Sequence, residues 1–406
     1  MKRYQKYKPT GIDWIGEIPS HWELIKGKYI FDFINGFPFD SKKFSFNPES
    51  GLPLIRIRDI QNHYSETYWD GEEIVEALVD NGDILIGMDG DFNISKWQGG
   101  KALLNQRVCK ILGTKVHNSY LLYILPFSLK VINDLTYYTT VKHLSNEDLW
   151  NDVFPIPELE EQTAIANFLD DKTANIDKLI SNKQKLIELL KEERTAIINE
   201  AVSGKGRNWG KKKLKYVAKK VQTGSTPPSN EEQYYVDEIK WFTPSDFSDD
   251  LFLQNSKRKI AELAVTNGIV KRFPANSVLF VGIGATLGKV GFILEPATSN
   301  QQINCLSFHS EEEAIFYANY FYSNQPNIIA LANAATLAIL NQSQMKDIIL
   351  PVPSSFDELK EAVQNIQTEA QRIDNTVSKI EREIELMNEY RTALISEVVT
   401  GKVKVA

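Results

Sequence analysis

Cysteine is scarce. The 406 residues contain two, Cys109 and Cys305, far apart in the chain. That excludes a disulfide framework and a cysteine-rich zinc site, and makes a reducing, cytoplasmic setting the default. Long apolar runs are missing as well: no stretch approaches the roughly 18 apolar residues that a membrane-spanning helix requires. The start, from Met1 to Lys8, is basic, but no apolar core follows it, so no signal peptide is expected. The five histidines (His21, His63, His117, His143, His309) are scattered, without metal-ligand spacing.

Catalytic motifs are equally absent. Amino-methyltransferases carry Asn/Asp-Pro-Pro-aromatic. Here Pro227-Pro228 runs into Ser229-Asn230 instead. The glycine-rich segment from Val281 to Lys289 could suggest a dinucleotide or phosphate loop. The following residues, Val290 to Leu294, read as a strand rather than the helix such a loop needs, and Val290 stands where a phosphate loop needs Ser or Thr. A tight hairpin fits better. No nucleophile–base constellation stands out, so a non-catalytic chain with no metal and no cofactor of its own is expected.

What the chain does have is itself, twice. Residues 194–205 (RTAIINEAVSGK) return as 391–402 (RTALISEVVTGK), 197 residues later. Phe154-Pro155-Ile156-Pro157 returns as Leu350-Pro351-Val352-Pro353, and Asn105-Gln106 as Asn300-Gln301. Residues 53–60 are loosely matched by 239–247, and Trp22 and Trp209 precede the two copies. Such matches in one order, over nearly the whole chain, describe a duplicated half. The period is too long for a solenoid unit.

Each half ends in a long segment without Pro or Gly, 160–203 and 354–400. In the second, Val363, Ile366, Ala370, Ile373, Val377, Ile380, Ile384, Met387, Leu394 and Val398 alternate at three and four, with Arg391 the polar member. In the first, Ala166, Leu169, Ile176, Ile180, Ile187, Leu190, Ile197 and Ala201 do the same, interrupted by Thr173, Lys183 and Arg194. This is a coiled-coil seam. A helix of about 44 residues would run roughly 65 Å, and its simplest partner is the other one, antiparallel, with the polar members snorkelling along the seam. The parts before the helices hold short apolar runs bounded by turns. The expected fold is α+β: globular domains at 1–158 and 207–353, helices at 159–206 and 354–406, and a pseudo-two-fold internal repeat.

The opening, Asp13-Trp14-Ile15-Gly16-Glu17-Ile18-Pro19-Ser20-His21-Trp22, resembles the start of type I restriction–modification specificity subunits. So do Gly82–Leu85, the Asn-Gln pair in each half, the Pro-x-Pro before each helix and the Arg-Thr-Ala helix ends. The resemblance spans essentially the whole chain. It implies two target-recognition domains, each reading half of a split DNA site. The helices would act as spacer and as docking surface for two methyltransferase subunits. Restriction subunits would join the same assembly, with S-adenosylmethionine, ATP and Mg carried by the partners.

Contact with DNA asks for Lys and Arg at phosphates and for amide, hydroxyl or guanidinium groups at base edges. The candidates are Arg56, Arg58, Ser95, Lys96, Asn105, Gln106 and Arg107 in the first half. In the second they are Thr223, Gly224, Ser225, Thr226, Ser245, Thr286, Lys289, Asn300, Gln301 and Gln302. Shared residues suit scaffold or phosphate. Unlike pairs suit base choice, with Arg58 against Ser245 and Lys96 against Lys289 as examples. The shared Asp59 and Asp246 are assigned to structure, and the 87–101 loop to the surface. The net charge of −7 argues mildly against polyanion binding, and the helical segments are expected to hold the excess acid. A rival reading is a non-DNA coiled-coil adaptor with duplicated interaction heads.

Overall fold

The computed structural model describes residues 2–135, 142–248, 250–332 and 339–405. The chain divides into two compact units, 1–182 with 383–406, and 183–382. Each closes around its own apolar core.

In the first unit a four-stranded antiparallel sheet has the spatial order Ile94–Lys96, Ile84–Gly87, Val108–Gly113, Phe31–Asn35. In the second the order is Val290–Ile293, Ser277–Val281, Ile303–Ser307, Lys220–Thr223. The strands enter these sheets in the same sequence order, so the duplication is one of topology. A two-stranded ribbon joins the start of each globular part to the Pro-x-Pro segment, Glu23–Lys26 with Val153–Ile156 and Gly210–Lys213 with Ile349–Val352. The helices Asn118–Leu135 and Glu311–Ser323 each lend a buried tyrosine to that segment. Tyr120 Oη donates to Pro155 O at 2.8 Å, and Tyr317 Oη to Pro351 O at 3.2 Å. The two tryptophans seen in the sequence bind alike. Trp22 Nε1 donates to Glu161 Oε2 at 3.1 Å, and Trp209 Nε1 to Glu358 Oε2 at 2.8 Å.

The long helices are Leu159–Ser203 and Phe356–Val399. Every apolar seam position named above is buried or half-buried. In the first unit Ile165, Leu169 and Ile176 share a core with Leu394 and Val398. In the second, Ile198 and Val202 share one with Leu359, Val363 and Ile366. The early part of one helix thus meets the late part of the other, which is antiparallel pairing. Arg391 and Arg194 do more than snorkel. Arg391 Nε lies 3.3 Å from Asp177 and Arg194 Nε 3.1 Å from Asp374, the same cross-helix pair in each copy. These pairs are partly exposed and contribute at most about 1 kcal/mol, whereas a fully buried Leu or Ile contributes about 1.5–3. The apolar positions hold the seam.

The 87–101 segment departs from the surface loop expected. Trp97 and Phe92 are fully buried and Ile94–Lys96 is a sheet strand. Trp97 closes its own turn by donating from Nε1 to Gly100 O at 2.6 Å. The glycine-rich 282–289 segment is the turn of a hairpin between Ser277–Val281 and Val290–Ile293. The chain runs from it directly into a strand, not into the helix that a phosphate loop needs.

Cys109 and Cys305 are unpaired and buried in central strands, where desolvation pushes each thiol up to about 12. The native protein is therefore expected to leave both unreacted with a disulfide reagent at pH 8, and to release two thiols on denaturation. The raised values also add stability that is complete below the ordinary thiol value near 9 and is lost as pH climbs from there toward 12.

Candidate nucleic-acid interface

The site begins with a parallel pair of short strands. Leu52–Ile55 lies beside Ala102–Leu104 with Ile55 opposite Leu104, so the chain leaves both at one end and delivers Arg56 and Asn105 side by side. Asn105 N donates to Ile55 O at 3.0 Å. A 3₁₀ turn, Ile57–Asp59, follows. Asp59 caps it by accepting from Arg56 N at 2.9 Å, and its carboxylate lies 3.7 Å from Nε of both Arg56 and Arg58. Arg58 nevertheless projects outward, with 67% of its side chain exposed. Arg107 follows the Asn-Gln pair. Its Nε lies 3.5 Å from Asp89 Oδ2, while His143 Nδ1 is 2.7 Å from Asp89 Oδ1 and 3.4 Å from Arg107 Nη1. Arg56, Ile57, Arg58, Asn105 and Arg107 line one open concavity of about 330 Å³. Gln106 is exposed beside it.

Gly36 lies against the Asn105 main chain. Its N donates to Val108 O, and Phe37 N to Leu104 O. A Cβ at Gly36 would lie 2.0 Å from Asn105 O.

The second unit repeats this main chain. Ile239–Phe242 runs parallel to Thr298–Ser299 with Phe242 opposite Ser299, and Asn300 N donates to Phe242 O at 3.0 Å. The 3₁₀ turn Pro244–Asp246 is capped by Asp246, which accepts from Thr243 N at 2.7 Å. Gly224 takes the place of Gly36, its N donating to Ile303 O and its notional Cβ falling 2.3 Å from Asn300 O. Shared hydrogen bonds (Met88 N to Arg107 O, Gly282 N to Gln302 O) and shared bridges (Asp89 with His143, Ile283 with Ile339) align the side chains. Arg56 corresponds to Thr243, Arg58 to Ser245, Arg107 to Gln302, Asp89 to Ile283 and His143 to Ile339. The frame is common and the groups on it differ.

This alignment corrects one expected pair. Ile94 faces Ile86 and Val290 faces Phe280. With Gly87 matching Val281, Lys96 corresponds to Phe292, and Lys289 to Asn93. Ser95 and Lys96 also stand apart from the arginine concavity. They line a second cleft of about 850 Å³ with Gln61, Tyr123, Asp177 and Arg391.

Several second-unit candidates are engaged within the loops. The Asn300 amide, 8% exposed, braces Gln302: its Nδ2 donates to Gln302 Oε1 at 3.0 Å and its Oδ1 accepts from Gln302 N at 3.1 Å. Thr223 Oγ1 donates to Asn304 Oδ1, Ser225 Oγ to Ile269 O, and Thr226 Oγ1 to the exposed Gln301. Thr286 is half-buried in the hairpin turn, and Lys289 Nζ donates to Phe247 O. Ser245 is exposed. Beside it sits a cation that sequence reading missed, Lys257, whose Nζ donates to Ser245 O at 2.8 Å. Asp89 and His143 were missed too, because nothing local marks residues so far in sequence from Arg107.

Charge is segregated as expected in part. Residues 1–158 hold 17 Lys/Arg and 21 Asp/Glu, and 207–353 hold 15 and 13. The helical segments hold 7 and 9, and 7 and 10. Acidic residues are densest in the helical segments, which hold 19 of the 53 in 101 residues, while the first globular part carries a net −4 and the second a net +2. Among the described residues no group of three or more His, Cys, Asp or Glu is placed to hold a metal, and no helix is long and apolar enough to cross a membrane.

Comparison with known proteins agrees with this duplicated geometry. The type I restriction modification DNA specificity domain matches twice, at residues 19–189 and 206–393. The type I restriction enzyme EcoBI specificity subunit of Escherichia coli is 26% identical, covering 96% of this chain and 88% of its own. The putative MjaX specificity subunit of Methanocaldococcus jannaschii is 31% identical over 48% of this chain and 45% of its own. Among solved structures, a chain from work on assembly and conformational transition of the type I R-M system aligns with a TM-score of 0.71 at 13% identity, covering 95% and 99% of the two chains. The HsdS subunit of Thermoanaerobacter tengcongensis aligns at 0.58 and 14%, covering 95% and 98%.

Proposed function

This chain belongs to the type I restriction modification DNA specificity domain family, and from that premise we propose that it reads a bipartite DNA sequence, one half-site per unit, across a gap of fixed length. The observation that carries this reading is the paired site. One main-chain frame, built twice at the end of a parallel strand pair, carries Arg56, Arg58 and Arg107 in one unit, with Arg56 held by Thr67, and Thr243, Ser245 and Gln302 in the other. Two readers of different sequences need a common scaffold and unlike tips.

Arginine pairs bidentately with guanine, and Gln with adenine. The first unit is therefore proposed to favour guanine in its half-site and the second adenine. Asn105 and Asn300, whose main-chain N–H groups tie the frame together, serve the scaffold in both. The chain does no chemistry in this scheme. Two methyltransferase subunits bound to it would supply adenine methylation with S-adenosylmethionine, and restriction subunits would add ATP- and Mg-dependent cleavage, in a cytoplasmic complex.

The test is selection of bound duplexes from a random library by the chain with its methyltransferase partner. Arg107→Gln is expected to change the preferred base at one position of one half-site, at a cost of about 1–3 kcal/mol for the original sequence, with the other half-site untouched. No sequence preference in the unsubstituted complex would leave the adaptor reading standing.

A further inference from the structure

The two copies differ most in charge at a place away from the paired readers. Residues 205–220 hold eight basic side chains (Lys205, Arg207, Lys211, Lys212, Lys213, Lys215, Lys219 and Lys220) and no acidic one, in a chain of net charge −7. The corresponding stretch of the first copy, counted from Trp22 as this one is from Trp209, is residues 18–33. It holds Lys26 and Lys28 against Glu23 and Asp32. Both stretches form the same ribbon strand and the same 3₁₀ turn, so the fold does not require the lysines.

The strip lies at the surface. All four residues of Gly210–Lys213 are exposed, as are Lys219 and Lys220. Asp347 neutralises Lys213 and Lys215, at 2.9 and 3.5 Å. Lys211, Lys212, Lys219 and Lys220 make no ion pair among the described residues. Lys220 opens the strand that carries Thr223 and leads into Gly224 at the reading cluster. Four residues at about 3.3 Å each place it roughly 13 Å from that glycine, close to four nucleotide steps along one DNA strand.

We infer that this lysine strip holds the phosphate backbone of duplex DNA beside the second unit's half-site. The inference rests on the DNA-reading function proposed above. Composition favours phosphate over base: seven of the eight cations are lysine, a mobile point charge without the planar fork that reads guanine. It also gives the slightly basic second unit a hold on DNA independent of sequence, which its Thr, Ser and Gln readers lack.

The test uses the full chain and K211Q/K212Q/K219Q/K220Q, which spares the two lysines held by Asp347. Fluorescence anisotropy between 50 and 200 mM salt is measured with a duplex carrying the selected site and with one lacking it. The slope of log K against log salt is expected to flatten by about 0.9 per lost phosphate contact, by up to about 3–4 in all. Affinity should fall at least about tenfold on both duplexes, with the selected bases unchanged. The matching Lys→Arg variant should keep the original slope, and an unchanged melting temperature should show that the fold is intact. An unaltered slope would overturn the inference, and so would a change in base preference. Intact DNA binding with lost methyltransferase co-purification would also overturn it, and would assign the strip to an acidic protein surface. The duplex without the site separates this failure from that of the reading function, which would show as no base preference in the unsubstituted chain.

Discussion

Gly36→Ala is expected to weaken binding of the full bipartite site by about a hundredfold or more, while Gly224→Ala does the same through the other half-site. At Gly36 the added Cβ would lie 2.0 Å from Asn105 O and 2.7 Å from Leu104 O. Both obstacles are main-chain atoms, fixed by the parallel pair with Leu52–Ile55 and by the Asn105 N to Ile55 O bond. A flexible side chain could swing aside, but this strand cannot move without breaking its ladder. Overpacking costs about 1–3 kcal/mol in ordinary cores, and a main-chain collision belongs at the upper end. Since about 1.4 kcal/mol is tenfold in affinity, a displaced Asn105–Arg107 segment accounts for the loss. At Gly224 the obstacles are Ser299 Oγ at 2.2 Å and Asn300 O at 2.3 Å. The control is Gly210→Ala, where an added Cβ meets nothing within 4 Å. Gel-shift titration against duplexes with either half-site scrambled would check the assignment. The Gly36 variant should lose its response to scrambling one half and keep its response to the other. Wild-type affinity for Gly36→Ala would mean that this frame does not present the readers.

The second large effect concerns the gap. Inserting one heptad into each long helix, with the three–four seam spacing preserved, is expected to lengthen the selected gap by up to about three base pairs and to leave the bases of both half-sites as they were. Seven residues add about 10.5 Å of helix, and DNA advances about 3.4 Å per step. The insertion has to be made in both helices, because the seam is shared. The early part of Leu159–Ser203 packs with the late part of Phe356–Val399 in one unit, and the late part with the early in the other. A single insertion would leave seven residues of apolar seam without a partner and break at least one of the Arg194–Asp374 and Arg391–Asp177 pairs. Selection from libraries with randomised gap length reads the result directly. Changed bases with an unchanged gap would remove the spacer role from the helices.

The helices were legible in the chain because their signal is local. A stripe at three and four, bounded by Pro-x-Pro before and Gly204 or Gly401 after, needs no knowledge of what lies across from it. The strand at Val290–Ile293 was legible for the same reason. Trp97 was not. Its neighbours Asp91, Asn93, Gln98, Gly99 and Gly100 make the segment read as loop, yet the turn at Gly100 lets the indole fold back under the sheet. The pairing of Lys96 with Lys289 failed because both lie beside turns of unequal length, where counting residues cannot recover hydrogen-bond register.

The paired sites divide along the same line. The amino-acid order alone established that a half was written twice, that each copy ends in a long amphipathic helix, and that the Asn-Gln pairs are common to both, because repetition and helical period survive without coordinates. Tertiary structure decided which polar groups work together. Arg56, Arg58 and Arg107 gather in one concavity, with Asp89 and His143 behind Arg107, because parallel strands end side by side and hydrogen-bond register sets what stands opposite. Those groups come from segments up to 87 residues apart (His143 and Arg56), and no pattern along the chain encodes which of them meet.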